Sequence, residues 1–176
     1  TLEALARHVE AGRVRFLGHS NFTAEQISEA DAVAAELGLP RFVSAQDQYS
    51  LLARGVEADV LPAARELGLG FLPYFPLHNG LLTGKYSPTS GDGRLRRVRP
   101  EVLENTDWDQ LDAYRRICDD AGVTMLQATF AWLLAQDPVS SVIAGATTPE
   151  QVAANAEAGR TRLDQETLDA ISRLFA

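Results

Sequence analysis

The sequence is short of the residues that build stapled or metal-clustered folds: one cysteine (Cys118), one methionine and three histidines in 176 residues. A single cysteine excludes an internal disulfide and a cysteine-based metal cluster, and it fits a reducing compartment, so a cytoplasmic location is expected. His8 and His78 have no carboxylate at metal-site spacing, and no zinc site is expected from them. Positive charge is also scarce. Sixteen Lys and Arg stand against 24 Asp and Glu, a net charge of −8, which disfavours nonspecific attraction to nucleic-acid phosphates or anionic membranes. No apolar run approaches the length of a membrane span, and Thr1 to Gly12 has a charged amphipathic helix pattern unlike a signal peptide. The apolar face of that helix (Leu2, Leu5, Ala6, Val9) starts with only Thr1 before it, from which a missing upstream portion is expected.

What is present suffices for one domain with a core, 45% of the residues being apolar. Short apolar runs alternate four times with helical patterns. Val14, Phe16 and Gly18 alternate with Arg15 and Leu17 as in a strand, and the run ends in Ser20 and Asn21. A helix follows over Ala24 to Leu37, stopped by Gly38 and Pro40. Arg41 to Gln46 reads as a second strand, Val56 to Leu67 as a helix with Pro62 near its start, and Phe71 to Tyr74 as a third strand. Leu77 to Pro100 shows neither period and is expected to be a long surface loop. Its cluster of Arg94, Arg96, Arg97 and Arg99 is open to two readings, a solvated mobile loop or an anion clamp. Helices are predicted over Asp107 to Ala121 and Thr124 to Ala135, the second apolar enough to be well buried. Val139 to Ile143 is the fourth strand, emptying into Gly145 to Glu150 and a helix through Ala156; Leu163 to Phe175 is a terminal amphipathic helix. Such alternation predicts a parallel sheet with helical crossovers.

In parallel α/β folds ligands sit at the carboxyl ends of strands. Ser20 and Asn21 stand at such an end, where they could hold a ligand or merely turn the chain and cap the next helix; Thr23 and Gln26 also have the spacing of a capping box. Gln46 and Tyr74 close the next two strands, and Pro73 and Pro76 make a regular core strand around Tyr74 less natural.

Gly18-His19-Ser20-Asn21-Phe22, Gln46 with Tyr49-Ser50-Leu51-Leu52, Pro73 to Leu77 leading to Gly80 to Tyr86, and Gly145 to Gln151 with Asn155 together resemble the aldo-keto reductases in order and spacing, over essentially the whole chain. The resemblance implies an α/β fold, half of a (β/α)8 TIM barrel with strands five to eight and their helices, as one domain over residues 1–176. It implies that Ser20, Asn21 and Gln46 hold the nicotinamide carboxamide and that Tyr74 stacks on its ring. Leu77, Asn79, Gly145, Thr147, Thr148, Gln151 and Asn155 would lie along the pyrophosphate and adenosine phosphate. A hydroxyl and two side-chain amides suit a carboxamide, which presents one acceptor and one NH2 donor. The Thr147 and Thr148 hydroxyls and a helix N-terminus can accept an anion.

The implied cofactor is NADPH, with NADH admitted. Gly145 and Gln151 stand where better-known members carry a Lys and an Arg that grip the 2′-phosphate, and Ala154 where an acidic residue is frequent. The family's catalytic Tyr, Lys, Asp and His belong to the other half of the barrel, and none maps onto this chain, so no catalytic residue is expected in it. His19 adjoins the first motif at a usually apolar position and is expected to be structural. The leading expectation is an NAD(P)H-dependent oxidoreductase reducing aldehydes or ketones in a complete barrel, partnered by an N-terminal half or a second copy and inactive in isolation. The competing expectation is a non-catalytic half-barrel that binds or regulates. An unrelated barrel hydrolase would need a carboxylate pair or nucleophile at the strand ends, which offer Ser-Asn, Gln, Tyr and Gly-Ala instead.

Overall fold

Three of the four apolar runs pair into one sheet in sequence order. The computed structural model describes residues 1–89 and 94–176, the side chain of Arg94 excepted. Helix α1 (Leu2–Glu10) precedes β1 (Leu17–Ser20), α2 (Ala24–Glu36) and β2 (Phe42–Gln46). A 3-10 turn at Gly55–Glu57 leads into α3 (Val60–Glu66) and β3 (Gly70–Phe71). All pairing is parallel in the order β1-β2-β3, with Ser20 level with Gln46 and Ala45 level with Phe71. The rest is helical: a 3-10 helix at His78–Thr83, α4 (Arg94–Val98), α5 (Pro100–Glu104), α6 (Trp108–Asp120), α7 (Met125–Leu134), α8 (Pro149–Ala158) and α9 (Gln165–Leu174).

The strand expected over Val139 to Ile143 is corrected to an extended edge segment. It runs parallel to β3, with the Phe71 N–H donating to the Pro138 carbonyl, the Ser140 N–H to the Phe71 carbonyl and the Ile143 N–H to the Pro73 carbonyl, each at 3.0 Å. Only Phe71 and Val139 form a ladder bridge. Pro73 offers no N–H, so β3 stops after two residues and leaves its neighbour little to pair with. The first strand also starts later than expected, at Leu17, with Phe16 70% exposed. The helix expected over Val56 to Leu67 divides at Ala58 and Asp59 into the 3-10 turn and α3; Pro62 falls in the first turn of α3, where its missing N–H costs nothing.

The segment expected to be a surface loop contributes to the core. Leu81, Leu82, Tyr86 and Leu95 are all buried. Its lack of period has a cause: the 3-10 helix bends through Asn79 and Gly80, both at positive φ, and its buried residues come one or two at a time. Residues 90–93 lie outside the described set.

The sheet has two unlike faces. Leu17, His19, Ala45 and Phe71 are buried towards the helices, where α7 carries the most deeply packed side chains, Trp132 and Leu133 among them. The opposite face presents Gly18, Ser44, Gly70 and Ser140. A Cβ on Gly18 would press into the Ser44 hydroxyl, and one on Gly70 would stand 2.7 Å from the Ser140 hydroxyl, so the side chains there stay small. Val43 projects into solvent from β2.

Candidate functional site

The end of β1 is relieved of capping. Thr23 caps α2 by accepting from the Gln26 N–H at 3.3 Å, and Gln26 Oε1 accepts from the Thr23 N–H at 3.0 Å, a complete capping box. Ser20 and Asn21 are thereby free for other contacts. They join Gln46 and Tyr74 in one hydrogen-bonded chain. The Tyr74 hydroxyl donates to Asn21 Oδ1 at 2.8 Å, Asn21 Nδ2 donates to the Ser20 hydroxyl at 3.0 Å, and that hydroxyl donates to the Gln46 carbonyl at 2.8 Å. The same carbonyl accepts from the Asn21 backbone N–H at 3.2 Å.

Four residues named from sequence thus meet at one end of the sheet. Among the described residues the Gln46 side-chain amide makes no hydrogen bond, and Asn21 keeps one side-chain N–H. Two amides and a hydroxyl, held in order by a tyrosine, can bind a ligand amide that both donates and accepts.

The backbone here is under strain. Non-glycine residues with positive φ among those described are Asn21 (59°), next after β1, and Phe75 (52°), His78 (44°) and Asn79 (59°), in the segment from the end of the β3 region into the 3-10 helix. Such conformations cost free energy and persist where the surroundings hold them, which is common around ligand sites.

Both ring nitrogens of His19, Asp47 Oδ2 and His78 Nδ1 are buried and lack a hydrogen-bond partner among the described residues. Burial lowers the pKa of His19, whose ring stacks on Phe22 at 4.6 Å and meets Phe42 edge-on at 5.4 Å. Burial, with the charge of Arg99, lowers that of His78. Burial pushes the Asp47 carboxyl up to about 6, partly offset by the polar Asn21 backbone. Sequence reasoning passed over Asp47; the signal available was a carboxylate on the residue after Gln46, where strand alternation turns it to the opposite face.

The second group of predicted residues is arranged differently. The Ile143 to Pro73 bond brings the chain before Gly145 alongside the end of β3. The start of α8 then caps itself: the Thr147 N–H donates to Gln151 Oε1 at 2.7 Å, and the Gln151 N–H donates to the Thr148 hydroxyl at 3.3 Å. Pro149 offers no N–H, so few first-turn donors remain free. Leu77 is half-buried and Asn79 exposed at the start of the 3-10 helix. Asn155 lines a recess of about 540 Å³ between α7, residues 139–142 and α8. That recess lies apart from the Ser20 to Tyr74 chain and contains none of its residues. Of the arginine cluster, Arg96 donates to the Ser87 carbonyl at 3.1 Å and Arg99 pairs with Glu101 at 3.4 Å.

Comparison with known proteins gives the same direction as the strand-end geometry. Residues 1–175 match the Aldo/keto reductase family. The chain belongs to the aldo/keto reductase family. It is 34% identical over 173 residues to the "Uncharacterized oxidoreductase YrpG" of Bacillus subtilis (strain 168), covering 98% of this chain and 52% of that protein. It is 30% identical over 167 residues to the "L-glyceraldehyde 3-phosphate reductase" of Escherichia coli (strain K12), covering 90% and 48%. It is 32% identical over 166 residues to the "Probable voltage-gated potassium channel subunit beta" of Oryza sativa subsp. japonica, covering 90% and 51%. This aldo/keto reductase chain therefore spans about half the length of the curated relatives it matches. Among the described residues no group of His, Cys, Asp and Glu could hold a metal ion, and no helix is long and apolar enough to cross a membrane.

Proposed function

We propose that this chain is the cofactor-binding half of an NAD(P)H-dependent aldo/keto reductase, supplying strands five to eight of a (β/α)8 barrel that reduces aldehydes or ketones to alcohols when complete. The hydrogen-bonded run from Tyr74 through Asn21 and Ser20 to Gln46 carries this reading. It fixes the Asn21 amide and leaves the Gln46 amide to a ligand, a donor set that fits the nicotinamide carboxamide. When bound, the reduced nicotinamide supplies hydride. Holding its carboxamide selects which ring face meets the substrate, and the Tyr74 ring, already tethered by its hydroxyl, is placed to wall the site against water. Thr147, Thr148, Gln151 and Asn155 are assigned to the adenosine phosphates. An anion there would take the Thr147 N–H from Gln151, because that donor is occupied by the self-cap. With no cation at Gly145 or Gln151, NADPH is assigned by family and NADH is the alternative.

The family resemblance assigns the general acid to the other half of the barrel, and the Tyr74 hydroxyl at the strand ends here is engaged by Asn21. The uncovered sheet face, with Phe16 and Val43 exposed, supports closure by an N-terminal half or a second copy. The decisive experiment purifies the 176-residue chain alone, measures its mass in solution and assays NADPH oxidation with a reactive aldehyde. Self-association or instability without turnover is expected; a stable monomer with substantial turnover would overturn the assignment. A second reading, a half-barrel that binds nicotinamide without reducing carbonyls, draws on the likeness to a channel subunit. It predicts NADPH binding without carbonyl turnover even in the intact protein.

A further inference from the structure

Phe75, the residue after the aromatic wall of the amide site, has no part in the proposed cofactor contacts and is costly where it stands. It is large and apolar, yet 51% exposed. Its backbone sits at φ 52°, where glycine rests at no steric cost and a bulky residue is an outlier. It also precedes Pro76, a place that favours extended backbone. What its ring gains is a contact with Tyr74, met edge-on with centroids 5.4 Å apart and planes at 79°. Tyr74 is otherwise held at its two ends. Its N–H donates to the Asp47 carbonyl at 3.0 Å, its carbonyl accepts from the Tyr49 N–H at 3.3 Å, and its hydroxyl donates to Asn21 Oδ1 at 2.8 Å. Fixing the backbone and the hydroxyl of a tyrosine leaves chiefly one motion, rotation of the ring plane about the axis from Cβ to the hydroxyl, and that torsion is intrinsically broad.

We propose that Phe75 is a positioning residue: its ring, set nearly perpendicular to that of Tyr74, braces the Tyr74 ring plane, the one freedom that the hydrogen bonds to Tyr74 leave open. For cofactor binding this rests on the nicotinamide reading above, whereas the bracing of one ring by the other does not. Stacking on a flat ligand depends on the plane of the wall, and aromatic pairs favour the edge-to-face arrangement seen here. Turning Tyr74 about its long axis gives up that arrangement. Backbone strain persists where the surroundings hold it and tends to mark sites of function. At Phe75 the holding bond is a backbone one, the His78 N–H donating to the Phe75 carbonyl at 2.9 Å. That bond does not involve the side chain, so the ring can be removed while the turn stays closed.

The test uses the intact protein. In its ligand-free form the order of the Tyr74 ring is followed by aromatic carbon relaxation in NMR for wild type, Phe75→Gly and Phe75→Tyr, with folding checked by thermal melting. Glycine suits the left-handed backbone and tyrosine restores the ring edge, so both variants should fold. The Tyr74 ring is expected to become more mobile in Phe75→Gly and to regain its order in Phe75→Tyr; unchanged order in Phe75→Gly overturns the proposal. In parallel, NADPH affinity is measured by fluorescence titration for wild type, both variants and Tyr74→Ala. Phe75→Gly is expected to bind about two- to tenfold more weakly, the range that one aromatic pair spans, and Phe75→Tyr to stay within about twofold of wild type. Binding that is impaired by Tyr74→Ala yet untouched by Phe75→Gly overturns the positioning role and keeps the cofactor reading. An equal loss in Phe75→Tyr also overturns it, because the ring edge is then not what matters. A change in Tyr74 ring order in a protein that binds no NADPH keeps the bracing and removes the cofactor reading.

Discussion

The helix-covered side of this chain and its strand-end side treat buried polar groups in opposite ways. On the covered side, His19 apart, the polar groups around Trp132 have partners. The Tyr49 hydroxyl donates to Glu57, whose two oxygens also receive Arg54 in a paired contact, all at 2.8 Å. Arg54 donates further to the Ser172 carbonyl and lies 5.3 Å over the Trp132 ring, and the Trp132 indole N–H donates to the Ser172 hydroxyl. Tyr114 meets Thr129 at 2.9 Å. This network ties the loop after β2 to α7 and α9 far along the chain. Beyond the strand ends Asp47 and His78 carry buried atoms without partners among the described residues, and Asn21, Phe75, His78 and Asn79 have positive φ. The two regions thus differ in how far their polar groups are paired, an arrangement expected where a binding site would stay unsatisfied until its ligand arrives.

The sharpest way to break the comparison is Trp132→Ala. Trp132 is fully buried and anchors both Arg54 and Ser172, so its loss should cost about 3–5 kcal/mol of unfolding free energy. Chemical denaturation measures this, and a loss below 1 kcal/mol would show that the network is not where stability resides.

Asp47→Asn should act with the opposite sign. Because its folded-state pKa is raised, the fold favours the protonated acid, and its stability falls as pH rises from the unfolded value to about 6 and stays low above it. A permanently neutral Asn escapes that penalty, so the variant should be up to about 2 kcal/mol more stable at pH 7, with the gain vanishing near pH 4. A destabilised variant at neutral pH would place Asp47 with the satisfied network.

Tyr74→Ala should separate binding from folding. Loss of the aromatic wall should weaken nicotinamide binding by about 1 kcal/mol or more, read by fluorescence titration, with a smaller change in melting. Unchanged affinity would count against the stacking role.

The smallest effect is expected at His19. Its folded-state pKa is lowered, so its contribution is present above the unfolded value of about 6.5 and is lost as pH falls through the folded-state value. His19→Leu should remove this acid limb while changing neutral-pH stability by less than about 1 kcal/mol, since neither ring nitrogen is paired. Measuring it in the Asp47→Asn background keeps the two titrations apart, and an unaltered acid limb would assign that limb to other groups.

How much of this was legible in the sequence depends on whether the signal was local. Helical spacing located α2, α6, α7 and α9, and small polar residues at strand ends located the amide cluster, because both are written in consecutive residues. The capping role left open for Ser20 and Asn21 turned out to belong to Thr23 and Gln26, two residues further on. Where partners decide, the pattern failed. Val139 to Ile143 has strand composition, yet pairing needs N–H groups in the right places, and Pro73 removes one from its neighbour. Leu81, Leu82, Tyr86 and Leu95 are buried one or two at a time around turns, which leaves no period to see. Asp47 looked like an ordinary polar residue after Gln46; its interest comes from burial, a property of the assembled fold.

The alternation of Gly18, Ser44, Gly70 and Ser140 across the uncovered face carries a demand on volume. Four neighbouring positions with almost no side chain form a shallow trough, and the clashes that a Cβ would meet at Gly18 and Gly70 prevent this chain from filling it. Protein interiors are packed to crystal-like density, and unfilled space costs roughly 24 cal/mol for each cubic ångström. Any surface that closes over this trough must therefore bring the bulk with it, as large side chains set opposite small ones. A closing surface of equally small residues would leave a void, while one with long aliphatic or aromatic side chains in register would seat. The size pattern along those four positions is thus a steric filter that acts before any charge or hydrogen bond does.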